Sequence, residues 1–386
     1  MYTLYAKLHE IRIKDRGNMS KVIISDTQNN EISEIIKNVF KIFRVEDKVK
    51  DKKVLVKPNL LGPFPPERGV TTDPRVISAI VQELKKCGSK EIIVGDNSGS
   101  IHFDPFKIAK ITGILDASGG CYSNIARKVV EVKVESEFIE KLFISRIVKE
   151  ADYVINVPKF KTHSLTTITG AIKNMFGIIP GGKKAKLHTF SRSIKGFAEL
   201  LVDIYQIRIP DLNIMDAIIG MEGVGPTNGE TRVINKIISS DNGISLDSVM
   251  TAMMGLKPDI IELLQVAKDR NLGETDISNI TIDGELKVIS GFKTPNNGIF
   301  QKIRKTMVPH VFNLASVKPI VNHNKCKICK KCIEVCPVSA MNLTNKFPEA
   351  DRKKCISCFC CDEHCPYGAI ILPSWLKDLY NRLREK

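Results

Sequence analysis

The sequence predicts an α/β protein: a mostly parallel sheet domain followed by a small, cysteine-rich α+β unit. Three observations predict it. Short apolar runs alternate with amphipathic stretches through residues 20–300, the rhythm of strands and helices that build a parallel sheet covered by helices. Charged and amide residues gather just after those apolar runs. Nine of the 11 cysteines lie after residue 325. That is too concentrated for a disulfide framework spread over a secreted fold, and it suits metal binding in a reducing compartment.

The 386 residues, 43% hydrophobic and 26% charged, suffice for two or three domains with a sizeable core. No stretch reaches the about 18 consecutive apolar residues of a membrane span. The N-terminal "MYTLYAKLHEIRIKDRGN" lacks the apolar core of a signal peptide, so a cytoplasmic location is expected. A strand-then-helix pattern opens at Met19, so residues 1–18 are expected to be a mis-called extension and the α/β domain is expected to span 19–295. The net charge of +15 favours anionic ligands or acidic partners. The charges are scattered and not interleaved with aromatics, so a nucleic-acid partner is not expected.

In order along the chain, the strand candidates are "KVIIS", "KVLVKPN", "EIIVGD", "DYVINVPK", "LNIMDAI", "NKIISSD" and "ITIDG", with helices at 31–43, 74–87, 190–207, 245–255 and 259–270. The second helix has Asp73 as N-cap, Pro74 at its first position and Gly88 past its end. Residues 116–150 read as an inserted β-rich piece.

Ligands of open α/β sheets bind beyond the carboxyl ends of the strands. The sequence deposits Lys57 and Asn59, then Asp96, then Lys159, Lys161 and His163, then Asp216 and Glu222, at four such ends. "TGAIKNMFGIIPGGKKAKLH" adds Lys173, Asn174 and His188. Lys57, Asn59, Asp96, Lys159, Lys161, Lys173, Asn174 and Asp216 are therefore candidate binding residues for a small anion. His163, His188 and Glu222 are candidate catalytic residues, the imidazoles as proton carriers. Glu222 and Asp216 alternatively hold a hard cation or fix a turn. Gly177–Lys183 fits G-x-x-x-x-G-K, but Lys184 stands where a P-loop needs Ser or Thr and no strand precedes it. A flexible basic loop that closes over the anion is expected there. No G-x-G-x-x-G supports a dinucleotide site.

"CKICKKCIEVCP" and "CISCFCCDEHCP" each follow C-x₂-C-x₂-C-x₃-C-P, the run of bacterial two-cluster ferredoxins. In that run three thiolates hold three irons of a cubane, and the fourth iron takes the remote cysteine of the other box. Two [4Fe–4S] clusters are thus expected, one on Cys326, Cys329, Cys332 and Cys365, the other on Cys355, Cys358, Cys361 and Cys336. Zinc knuckles do not need the triple spacing. Cys360 is an extra thiol and not a ligand. The lysines of "CKICKKC" and "DRKKC" suit an acidic electron donor and favour the reduced cluster. The unit spans 321–372, after a linker at 296–320 and before an amphipathic helix at 373–386.

The strings "KPN", "VPKFKTH", "TGAIKNMFG" and "DAIIGMEGVGP" resemble the uncharacterised family known as domain of unknown function 362, whose members often carry a C-terminal two-cluster ferredoxin domain. The resemblance covers about residues 50–290 and 321–372 and implies no agreed reaction. The expected function is iron–sulfur electron transfer by an oxidoreductase that passes electrons from a soluble donor through the two clusters to an anionic substrate or cofactor held by the α/β domain. The alternative is a non-enzymatic electron carrier or regulatory protein whose α/β domain docks a partner, the soluble donor or acceptor protein being common to both.

Overall fold

In a computed structural model, the chain is described over residues 20–99, 103–191, 193–295 and 318–371. The expected extension at 1–18, most of the linker and the helix at 373–386 lie outside the described residues.

Alternate residues of each apolar run face opposite sides of one central sheet. Its strands are β1 (Lys21–Asp26), β2 (Lys53–Lys57) and β3 (Glu91–Val94), and, after a separate hairpin of β4 (Val129–Lys133) and β5 (Lys141–Ser145), β6 (Tyr153–Asn156), β7 (Lys159–His163), β8 (Thr167–Ile168), β9 (Leu212–Glu222), β10 (Glu230–Ser240) and β11 (Thr281–Asp283). The order is β11-β1-β10-β9-β6-β2-β3, with β7 beside β9 and β8 beside β7. The pairs β2–β3, β2–β6, β6–β9, β7–β9 and β1–β11 are parallel. Only β1–β10, β9–β10 and β7–β8 are antiparallel. The domain is thus a mixed α/β fold with a mostly parallel sheet.

Val54 and Val56 join one core while Leu55 joins the other, as the two-residue period requires. Helices Ile32–Ile42 and Pro74–Lys86 cover the first face; Gly170–Asn174, Ile194–Ile207, Gly243–Met253 and Glu262–Asp269 cover the second. Burying each such Val, Leu or Ile contributes about 1.5–3 kcal/mol. Asp73 caps its helix by accepting from Arg75 N, Pro74 opens it, and Gly88 follows at φ +72°.

Three local expectations change. The basic segment is not a loop: Gly181–Ser191 is a helix, because "KKAKLH" is built of good helix formers. The helix expected at 190–207 is accordingly two, the second capped by Ser193, which accepts from Gly196 N. β9 and β10 are 11 residues each and pair antiparallel, since both carry apolar residues well past the shorter runs that mark them in the sequence.

The cysteine-rich unit has two small antiparallel pairs, β12 (Ile320–Val321) with β15 (Ile370–Ile371), and β13 (Met341–Thr344) with β14 (Phe347–Ala350). Among the described residues its buried cluster is Cys332, Met341, Cys361, Cys365, Ala369 and Ile370.

Candidate functional site

A cavity of about 430 Å³ lies between the carboxyl edge of the sheet and the cysteine-rich unit. Asn59, Asp96, Lys161, His163, Lys173, Asn174 and His188 line it from the sheet domain; Cys336, Cys360 and Glu363 line it from the other side. The structure thus brings together seven of the eleven sheet-domain candidates.

Three of the remaining four sit behind the wall as buried ion pairs. Lys57 Nζ lies 2.8 Å from Asp96 Oδ1, and Lys159 Nζ 2.5 Å from Asp216 Oδ2. Asp216 also accepts from Asp73 N and Ile218 N, which fixes the loop before the second helix. Gly177 lets the Lys57–Asp96 pair approach, for a Cβ there would lie 2.0 Å from Asp96 Oδ1. Glu222 is not in the cavity lining; its Oε2 accepts from Lys293 N at 3.2 Å. That contact fits the turn-fixing alternative.

The amides form a buried chain. Asn59 Nδ2 donates to Asn174 Oδ1, Asn174 Nδ2 to Asn156 Oδ1, and Asn156 Nδ2 to Asn213 Oδ1, at 2.9, 2.7 and 2.9 Å. Asn59 Oδ1 accepts from Lys161 Nζ, which also donates to Val70 O. This satisfied network fixes the back wall.

Cations dominate the remaining lining. Burial, aided by Lys173 and Lys159, lowers Lys161 to about 7. Burial likewise lowers Lys184 to about 8; it donates to Asn97 O. Lys173 is lowered by burial, with Glu363 and Cys360 acting the other way. Among the described residues its ammonium has only ring contacts, 5.7 and 5.8 Å from the Phe176 and Phe197 centroids. Both side-chain polar atoms of Asn97 and the Thr169 hydroxyl are buried without hydrogen-bond partners among the described residues, and both residues line the cavity. Orphaned polar groups beside cations are what a site for a polar anion presents.

The two histidines differ. His163 Nδ1 accepts from Leu165 N and Thr166 N, so the proton of the neutral ring sits on Nε2, 2.8 Å from Glu363 Oε1. The contact is close but poorly aligned as a hydrogen bond. Burial, then Lys173, lowers His163 to about 4. For Glu363, burial favours the neutral acid, yet Lys173 and His163 hold it well below its ordinary value. His163 is therefore locked between the two units. His188 is stacked on Phe197 at 4.3 Å, edge-on to Phe176, and faces the cavity with no hydrogen-bond partner among the described residues. Burial lowers it to about 4 as well.

The cysteine boxes share one backbone shape. Ile328 and Lys330 in the first, and Ser357 and Phe359 in the second, occupy the left-handed region at the same offsets. Short helices follow at Lys331–Glu334 and Cys360–Glu363. Ala340 N donates to Cys336 Sγ and Ala369 N to Cys365 Sγ, at 3.2 and 3.3 Å. Cys326, Cys329, Cys332 and Cys365 line one small cavity. Burial and the neighbouring sulfurs push Cys332 up to about 11, a crowding that a cationic centre would relieve. Among the described residues no three Cys, His, Asp or Glu side chains converge as they would on a single metal ion. Cys360 hydrogen-bonds to Cys358, which lowers Cys358.

Between the last two cysteines, Asp362, Glu363 and His364 plug into the sheet domain. Asn228 Nδ2 donates to Asp362, Thr227 Oγ1 to Glu363 O, and His364 Nε2 lies 2.9 Å from Gly99 O.

A model of the family described as domain of unknown function (DUF362) matches residues 54–252. The chain belongs to that family. The DUF362 match ends before the cysteine boxes. A thylakoid-associated protein of Synechocystis sp. is 32% identical over 235 residues, 58% of this chain and 69% of that protein. Among solved structures, the lactate racemase apoprotein of Thermoanaerobacterium thermosaccharolyticum matches with a TM-score of 0.41 and 11% identity, over 59% of this chain and 56% of that one. A Thermotoga maritima protein gives 0.40 and 15%, over 60% and 61%. This chain thus spans less than two thirds of either structure, and neither likeness bears on function. No helix among the described residues of this DUF362 protein is long and apolar enough to cross a membrane.

Thr169 and Glu363 are site residues that sequence reasoning missed; Lys184 was read only as part of the basic loop, and Cys360 only as an extra thiol. Asn97 follows Asp96 at a strand end and carried a usable signal. Glu363 had none, because only the docking of the cysteine-rich unit brings it to His163.

Proposed function

We propose that this protein is an iron–sulfur oxidoreductase that passes electrons from a soluble donor protein to a small anionic molecule held in the cavity. The observation that carries the reading is the cavity's two walls: lysines, the orphaned Asn97 amide and the Thr169 hydroxyl on one, Cys336 of a cysteine box on the other. Cys326, Cys329, Cys332 and Cys365 would hold one [4Fe–4S] cluster, and Cys355, Cys358, Cys361 and Cys336 the second. Bound there, the clusters supply one-electron transfer.

The chain's own residues supply the rest. Lys173 and Lys184 bind the anion, with Asn97 and Thr169 as its hydrogen-bond partners. Lys161 and the asparagine chain hold the back wall. His188 exchanges a proton with the bound molecule, since its ring nitrogens are not committed to the protein. His163 and Glu363 keep the two units in register.

The test is anaerobic reconstitution followed by iron and sulfide analysis, electron paramagnetic resonance, and single-turnover oxidation of reduced protein by small organic anions. Eight irons per chain and an acceptor whose reaction slows in Lys173→Ala are expected. Zinc in place of iron, or no acceptor that responds to Lys173, would overturn the reading.

A further inference from the structure

The two cysteine boxes share one backbone shape but differ in the side chains between their first three cysteines; the exposed Arg352, Lys353 and Lys354 precede the second box and lie outside that stretch. At matching offsets the first carries Lys327, Ile328, Lys330 and Lys331, and the second Ile356, Ser357, Phe359 and Cys360. The charged residues of one box are thus replaced by apolar or uncharged ones in the other. Placement follows the substitution. In the second box none of these four is exposed, and Cys360 faces the cavity. In the first, Lys325, Lys327, Cys329 and Lys330 are exposed. Ile328 and Tyr367 are 40% and 46% exposed. Tyr367, Lys327 and Lys330 line the same small cavity as Cys326, Cys329, Cys332 and Cys365.

A bare cysteine, two exposed apolar side chains and a ring of lysines make a distinct surface. An apolar centre with a charged rim is the anatomy of a protein contact, and a small one fits a transient electron-transfer encounter. Lysine charge speeds encounter with an oppositely charged partner without making the complex long-lived.

We propose that the face formed by Lys325, Lys327, Ile328, Lys330 and Tyr367 around Cys329 is the docking surface for a small acidic one-electron carrier protein. This rests on the iron–sulfur reading and names the donor's chemistry and its landing place. Each encounter moves one electron: the reduced carrier is oxidised by one electron, and this protein is reduced by one. Uptake at this face and delivery at the cavity put the two poles of the cysteine-rich unit in series.

The experiment uses the reconstituted full chain, with iron and sulfide content measured first, and an acidic flavodoxin as the probe. Lys327→Glu/Lys330→Glu is compared with wild type and with Lys48→Glu/Lys50→Glu, an equal charge change at exposed residues of the sheet domain. Stopped-flow spectra report reduction by the flavodoxin hydroquinone, and nuclear magnetic resonance titration of labelled oxidised flavodoxin reports docking. The expected result is a tenfold or larger loss of rate and of binding in the first variant alone. The wild-type rate should fall steeply with salt, and reduction by photoreduced deazaflavin should be unchanged in all three proteins. Equal flavodoxin rates and binding in wild type and the first variant, with iron present, would overturn the docking surface and leave the iron–sulfur reading intact. Loss of binding to phosphatidylglycerol vesicles in that variant, with flavodoxin behaviour unchanged, would instead assign the face to a membrane and overturn the proposal. Chains without iron would overturn the underlying reading, while the titration would still decide the docking.

Discussion

His163 Nε2 lies 2.8 Å from Glu363 Oε1, although one belongs to the sheet domain and the other sits between two cysteines of the second box. The contact is nearly dry: the two side chains are 2% and 10% exposed. His163→Ala leaves the carboxylate facing an empty space in an otherwise closed joint. A loss of about 1–3 kcal/mol is expected. Hydrogen exchange should quicken in residues 360–365 and 162–166 together, which a purely local effect would not produce.

Lys159 and Asp216 are both almost wholly buried. Truncating either partner alone strands a charge, so Lys159→Ala and Asp216→Ala should each cost about 3–5 kcal/mol in urea unfolding. The double variant should cost clearly less than the sum of the two.

Gly177 touches the other buried pair. In Gly177→Ala the new Cβ would meet Asp96 Oδ1 and Lys57 Nζ, at 2.0 and 2.5 Å without relaxation. An overpacking cost of about 1–3 kcal/mol is expected, read by thermal unfolding, with a weaker hold on anions because Asp96 lines the cavity.

Anion binding should be pH-dependent, and the sign follows from the lysines. Lys184 and Lys161 are lowered by burial to about 8 and about 7. Each is cationic below its value and neutral above it, so a bound anion raises both and proton uptake accompanies binding. Affinity should fall as pH rises from 6 to 9. Calorimetry in buffers of different ionisation enthalpy should show protons taken up near pH 8. Release of protons would contradict the assignment.

If the second box holds a cluster as proposed, Cys360→Ser should bind iron as wild type does, while Cys361→Ser should not. Iron analysis of the two anaerobically purified variants distinguishes a hydrogen-bonding thiol from a ligand.

Much of this was legible in the chain. The parallel pairs were written in short apolar runs, and the second helix in Asp73, Pro74 and Gly88. Asn59, Asp96, Lys161 and His163 were marked by their position at or after strand ends. What the chain did not reveal depends on distance. Lys57 and Lys159 look like ligand-binding residues until their partners Asp96 and Asp216 are seen beside them. Asn156 and Asn213 read as ordinary strand residues, yet their amides extend the chain from Asn59. Glu222 looked catalytic because it ends a strand, but β9 is long enough to carry it beyond the cavity.

The plug formed by Asp362, Glu363 and His364 limits interchangeability. A cysteine module transplanted from another protein, however well it bound iron, would lack the three residues that meet Gly99, His163, Thr227 and Asn228. Such a chimera would keep its electrons but leave one side of the chamber open to bulk water.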